Sequence, residues 1–194
     1  AAISRELHDP YWLRTSLTVL GMFLGDQGEV DEARGCHEEA LAVSRATGNA
    51  DDVAACLVNL GAFAANTLCD YDASRAYSEE ALDMHRRAGH KYGEAICLGN
   101  LGDVAFNQCR FQEALRLGEE AVDSYRQVGH ERYARKSGLR LAETLLVLGD
   151  YERGQGLAME LADDLRGLND VSLLPYGLVI LGHLALSTGQ YEQA

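Results

Sequence analysis

Two imidazoles that share a zinc ion must each reach it through a bond of about 2.1 Å. His90 and His130 are the pair the sequence suggests, but they stand 40 residues apart, at equivalent points of an internal repeat. One repeat separates them, so each is expected to cap a helix or face solvent, and no metal site is predicted. The five cysteines, Cys36, Cys56, Cys69, Cys97 and Cys109, are odd in number and form no CxxC, which indicates neither a disulfide framework nor a zinc ribbon. Cys56 with Cys97, and Cys69 with Cys109, fall one repeat apart and read as small packing residues. The acidic pairs Glu38-Glu39, Glu79-Glu80 and Glu119-Glu120 invite a reading as catalytic carboxylates. Consecutive helical residues point about 100° apart, however, and recurrence in three repeats fits a solvated helix face. No GxxxxGK[ST], HExxH or GxSxG string occurs, so no catalytic residue and no cofactor is assigned, and the segment is expected not to be an enzyme.

Binding is the chemistry that remains. Asn59 and Asn66 are seven residues apart, as are Asn100 and Asn107, with Asp103 at i+3 between the latter two. On helices, each set shares one face. A carboxamide both donates and accepts hydrogen bonds, so asparagines recurring at one-repeat intervals can satisfy the backbone of an extended peptide without demanding a particular side chain. The equivalent positions further on are Arg140, Glu143 and Val147, then Ile180, His183 and Ser187, so the face changes from amide-rich to charged to apolar. Arg140 would add a contact to a carboxylate of the partner. A solvated surface without a ligand is the alternative.

A repeat positions these residues. Leucine stands at Leu20, Leu60, Leu101, Leu141 and Leu181, in steps of 40, 41, 40 and 40, followed by Gly21, Gly61, Gly102, Ala142 and Gly182. Arg5, Arg45, Arg86, Arg126 and Arg166 form a second column, and Val30, Tyr71, Phe111, Tyr151 and Tyr191 a third. Two amphipathic helices alternate within a period. Leu17, Leu57, Leu98 and Leu178 mark one face of the first helix, and Ala33, Ala40 and Leu41 recur in the second as Ser74, Ala81 and Leu82, then Ala114, Ala121 and Val122. Asp9, Asn49, His90, His130 and Asp170 fall at the expected N-caps, Pro10 at a first helical position, and Gly48, Gly89 and Gly129 where a helix C-cap takes a left-handed residue. The spacing predicts first helices over 10–27, 50–68, 91–108, 131–148 and 171–188, and second helices over 30–47, 71–88, 111–128 and 151–166. Leu178, Leu181 and Leu184 on the last of these are expected to be exposed. Repeat four departs from the pattern, with Ala142, Gly154 and Leu161 where glycine and alanine are usual, so irregular packing is expected there.

Leu20-Gly21, Leu24, Ala33 and Ala40, with Leu101-Gly102, Ala105, Ala114 and Ala121, resemble the tetratricopeptide repeat in a variant of about 40 residues. The strings NLG at 59–61 and 100–102, and EEAL at 38–41 and 79–82, resemble repeats of large bacterial transcription regulators of the maltose-activator and antibiotic-regulatory type. The resemblance implies an all-α, right-handed α-solenoid of tetratricopeptide-like helix hairpins, with the first helices lining the concave side. It implies a protein- or peptide-interaction or signal-sensing module, the repeat domain of a multidomain regulator, and puts Asn59, Asn66, Asn100, Asp103, Asn107, Arg140 and Glu143 at the binding face. The partner would be a protein or peptide segment, including another domain of the parent chain. A peptide-binding scaffold unrelated to transcription is the alternative.

The repeat register divides the chain into the end of a preceding repeat (1–8), repeats over 10–48, 50–89, 91–129 and 131–168, and an incomplete repeat over 171–194. Beginning and ending inside repeats, it reads as one repeat-domain fragment of a longer solenoid, with self-association through the exposed ends a further expectation. The 17 Lys and Arg against 30 Asp and Glu give a net charge of −13, which disfavours nucleic-acid binding through this segment. The apolar run from Val171 to Leu186 is broken by Pro175, Gly177, Gly182 and His183 and falls short of a membrane span. With no export signal at its start and no cysteine pairing, a cytoplasmic setting is expected.

Overall fold

Helix breakers are scarce in this sequence, with two prolines in 194 residues, and the chain is helical through most of residues 9–188, the part that the computed structural model describes. Among the described residues there are nine helices and no strand. Two compact units divide the chain, 1–104 and 105–194. Arg5 and Tyr191 of the repeat columns lie outside the described residues, as do 189–194 of the incomplete repeat.

The first unit contains α1 (Pro10–Asp26), α2 (Val30–Thr47), α3 (Ala50–Asn66), α4 (Tyr71–Ala88) and most of α5 (Lys91–Asn107). Three of the starts have a local cause in a side-chain cap. The Asp9 carboxylate accepts from the Trp12 amide at 3.1 Å, and Pro10 stands in the first turn. Asn49 accepts from the amides of Asp51 and Asp52, and Asp70 from that of Ala73. Gly48 and Gly89 end α2 and α4 with φ of 70° and 72°, a conformation that only a residue without Cβ adopts freely. The helices α1 and α2 pack as a hairpin, as do α3 and α4, while α3 also packs on α2. Leu17, Ala33, Leu57 and Ala81 are buried to 1 % exposure or less, as the columns require. Close approach within each hairpin rests on the glycine that follows the column leucine. A Cβ at Gly61 would stand 3.0 Å from Ser78 Oγ, and one at Gly21 would stand 2.9 Å from His37 Nε2. His37 is therefore buried against Gly21 and Phe63, and burial lowers its pKa.

The second unit contains the end of α5, then α6 (Phe111–Gln127), α7 (Glu131–Val147), α8 (Tyr151–Gly167) and α9 (Leu174–Thr188). Its larger core cluster joins Leu139, Ala142, Ala158, Leu161, Leu165, Ile180 and Leu184. The departures of repeat four prove to be complementary exchanges. Gly138 occupies the column filled by Leu17, Leu57 and Leu98, and Leu161 occupies the column of Ala40, Ala81 and Ala121. A Cβ at Gly138 would lie 3.0 Å from Leu161 Cδ1, so the leucine lost from α7 is returned from α8. In the same way Ala142 replaces a glycine and Gly154 replaces an alanine or serine, and a Cβ at Gly154 would lie 3.2 Å from the Ala142 carbonyl. The packing surface is kept with its bulk moved between partners.

Three expectations are corrected. The last helix begins at Leu174 and not at 171. Asp170 instead accepts from the Ser172 and Leu173 amides and the Ser172 hydroxyl, which holds its carboxyl down at about 2, and residues 171–173 form a turn. Pro175 then falls in the first helical turn, where a missing N–H costs nothing. Leu184 is buried to 2 % exposure and Ile180 to 1 %, because α9 packs on α7 and α8; Leu178 stays 43 % exposed. Leu20, by contrast, is 39 % exposed although its column partners Leu60, Leu101 and Leu141 are buried.

Candidate functional site

The polar face has a part in each of the two units. In the first, Asn59 lies half-buried in the middle of α3 and Asn66 exposed at its last residue, while Asn100 and Asp103 are half-buried on α5. Among the described residues none of the side chains of Asn59, Asn66 and Asn100 has a hydrogen-bond partner, so these carboxamides keep both donor and acceptor capacity. Asp103 is engaged by a neighbour.

In the second unit, Asn107 is exposed at the end of α5, and the structure brings Arg140 and Glu143 of α7 together. Arg140 Nη1 donates to Glu143 Oε2 at 2.6 Å, and the Tyr176 hydroxyl of α9 donates to the same oxygen at 2.5 Å. The Arg140 guanidinium carbon stands 4.7 Å from the centre of the Phe106 ring and 5.8 Å from that of Tyr176. A half-buried cation is thus flanked by two aromatic rings and neutralised by its own carboxylate. The rings are not legible in sequence. Phe106 and Tyr176 belong to different repeats from Arg140 and to no polar column, whereas the i,i+3 spacing of Arg140 and Glu143 is itself an ion-pair signal. Of the other positions assigned to this face, Val147 and His183 are exposed, Ile180 is buried in the core and does not continue the face, and the side chain of Ser187 lies outside the described residues.

Cys56 and Cys97 are buried packing residues, and burial pushes the Cys97 thiol up to about 12, well outside nucleophilic range. Cys69 and Cys109 do not pack. Both are exposed and take left-handed conformations, φ 52° and 58°, in the loops α3–α4 and α5–α6. The matching residues in the other repeats are Gly28 and Gly149, each at φ 83°. His130 stands at the N-cap of α7 without a side-chain capping bond and meets the Tyr133 ring edge-on, and His90 Nδ1 lies 3.2 Å from Asp51. No group of three or more His, Cys, Asp or Glu among the described residues is placed to hold a metal ion, and no helix there is long and apolar enough to cross a membrane.

Set against known proteins, residues 13–51 and 62–127 match family models of the tetratricopeptide repeat. No curated protein matches the chain in sequence. Among solved structures it is similar to BtubC (BKLC) from P. vanneervenii, at 18 % identity and a TM-score of 0.86, with 100 % of this chain and 82 % of that one covered. A signal transduction ATPase with numerous domains, the tetratricopeptide-sensor protein PH0952 from Pyrococcus horikoshii, is similar at 18 % identity and a TM-score of 0.80 over 96 % of this chain and 29 % of that one. A Rap protein complexed with Competence and Sporulation Factor is similar at 14 % identity and 0.67, over 99 % and 57 %. Such identities show the fold, an all-α solenoid of tetratricopeptide-like helix hairpins. With its helix pairs, its columns and more than half of its length in matched repeats, the chain belongs to the tetratricopeptide-repeat proteins.

Proposed function

We propose that this chain is a non-catalytic, cytoplasmic signal-sensing module that holds an extended protein or peptide segment on its first helices. It would serve as the repeat domain of a multidomain bacterial regulator, divided into repeats as the sequence columns divide it. The observation that carries this reading is the set of unpartnered carboxamides at Asn59, Asn66 and Asn100, two of them half-buried, on helices whose other faces are committed to packing. Asn107 and the Arg140–Glu143 pair are the corresponding contacts in the second unit. Because Glu143 already holds Arg140, a partner's carboxylate there competes with an internal one. Two of the similar structures support the sensing role by what their names say: one contains a tetratricopeptide sensor and the other is complexed with a factor.

The test is selection of binding peptides from a random display library, followed by calorimetry. Each lost hydrogen bond costs about 0.5–1.5 kcal/mol, so Asn59→Ala combined with Asn100→Ala should weaken a selected peptide by about tenfold. Glu79→Ala with Glu80→Ala, on α4, should leave affinity unchanged. The opposite pattern refutes the assignment to the first helices.

A further inference from the structure

Between α6, α7 and α8 lies a cavity of about 270 Å³. Its floor is apolar and buried, with Val122, Leu141 and Leu161 around Gly138. The cavity lies at the departure of repeat four. Where Leu17, Leu57 and Leu98 fill the equivalent position in their own helices, each to 1 % exposure or less, Gly138 has no side chain, and Leu161 of α8 reaches to within 3.0 Å of where its Cβ would stand. The cavity is open to solvent at an edge lined by Asp123 and Arg126 of α6 and by Glu119, which is engaged by Arg153 at 3.0 Å.

Asp123 and Arg126 are exposed, and neither forms an ion pair among the described residues. At i,i+3 on one helix they present an anion and a cation about 5–6 Å apart at their Cβ atoms. An ammonium and a carboxylate carried on a single carbon atom match that arrangement, and an apolar side chain on the same carbon would enter the cavity. Pockets for drug-sized ligands begin at about 300 Å³, so this one suits something smaller. We infer that the second unit carries a binding site for a free apolar α-amino acid of leucine to phenylalanine size. The side chain lies against Val122, Leu141 and Leu161, the ammonium on Asp123 and the carboxylate on Arg126. The site opens between the second helices α6 and α8 and is independent of the polar face of the first helices.

Calorimetry and amide chemical shifts of the whole chain titrated with L-leucine and L-phenylalanine test this. Saturable binding with Kd of about 1 mM or tighter is expected, and none for glycine. Arg126→Gln and Asp123→Asn, both at exposed positions, should each weaken leucine at least about tenfold, and leucinamide, which lacks the carboxylate, should be insensitive to Arg126→Gln. Leu157→Trp, at a half-buried position in the cavity lining, fills the space and should abolish binding while circular dichroism remains that of the native chain. The inference is overturned by the absence of saturation up to about 10 mM, by an affinity unchanged from the parent in the Arg126 and Asp123 variants, or by shifts confined to residues away from α6–α8.

Discussion

The exchange between Gly138 and Leu161 can be reversed one residue at a time, and the energies should not add. Leu161 is 4 % exposed. Leu161→Ala removes buried carbon beside a glycine that cannot replace it, at about 3 kcal/mol, within the usual range for buried leucines. Gly138→Leu gains about 1 kcal/mol of helix propensity but drives a side chain into Leu161, whose Cδ1 already lies 3.0 Å from where the new Cβ would stand. The net effect should be a loss of about 1 kcal/mol. The double variant recreates the leucine-over-alanine arrangement of repeats one to three, and should lie within about 1 kcal/mol of the parent. The coupling energy is then at least about 3 kcal/mol, well above the few tenths seen for independent sites. Urea unfolding followed by far-ultraviolet circular dichroism, at constant m, reads all four corners of the cycle. If the double variant loses the sum of the two single effects, about 4 kcal/mol, the side chains do not substitute for one another and the reading is wrong.

At Cys69 and Cys109, left-handed and exposed, Cys→Gly should stabilise by about 1 kcal/mol each by relieving the Cβ penalty, measured as a rise in unfolding midpoint. Burial lowers the His37 pKa, so the folded chain binds its proton less readily than the unfolded chain does. Stability is then full above the unfolded value of 6.5 and falls as pH drops below it, and His37→Ser, which copies Ser78 of the next hairpin, should flatten the change in midpoint between about pH 7 and pH 5. Tyr176→Phe keeps the ring against Arg140 but removes the bond to Glu143. A loss of about 1–2 kcal/mol is expected, with faster hydrogen exchange across 174–188 and little change in α6.

Most helix limits are legible because a repeat states each boundary several times over. Gly48 and Gly89 announce the same left-handed turn, and a column of buried leucines is hard to misplace. Legibility fails where a residue departs from its column for a tertiary reason. Asp170 occupies a cap position, yet caps a turn, since Pro175 sets the start of α9 further on. Leu184 reads as exposed until α9 is seen lying on α7 and α8. Cys69 and Cys109 share a column with Gly28 and Gly149, and those glycines signal a positive φ that the cysteines themselves, read as small packing residues, conceal. The polar face is visible as a pattern of asparagines. Its aromatic members, Phe106 and Tyr176, are not, because contact across three helices leaves no period in the sequence.

Reciprocal exchange within one hairpin also bears on how such a protein can be recombined. Repeats of equal length invite shuffling, and a chain of interchangeable units can be cut at any loop. Here α7 and α8 have become an inseparable pair, since α7 carries a glycine where its sister helices carry leucine and α8 carries the leucine that answers it. A crossover at Gly149 would leave one daughter with two leucines competing for one space and the other with none, whereas crossovers at Gly129 and Asn169 would transfer the hairpin whole. Inheritance of the fourth repeat is therefore constrained to the loops between hairpins, and chimaeras built from this chain should respect the same joints.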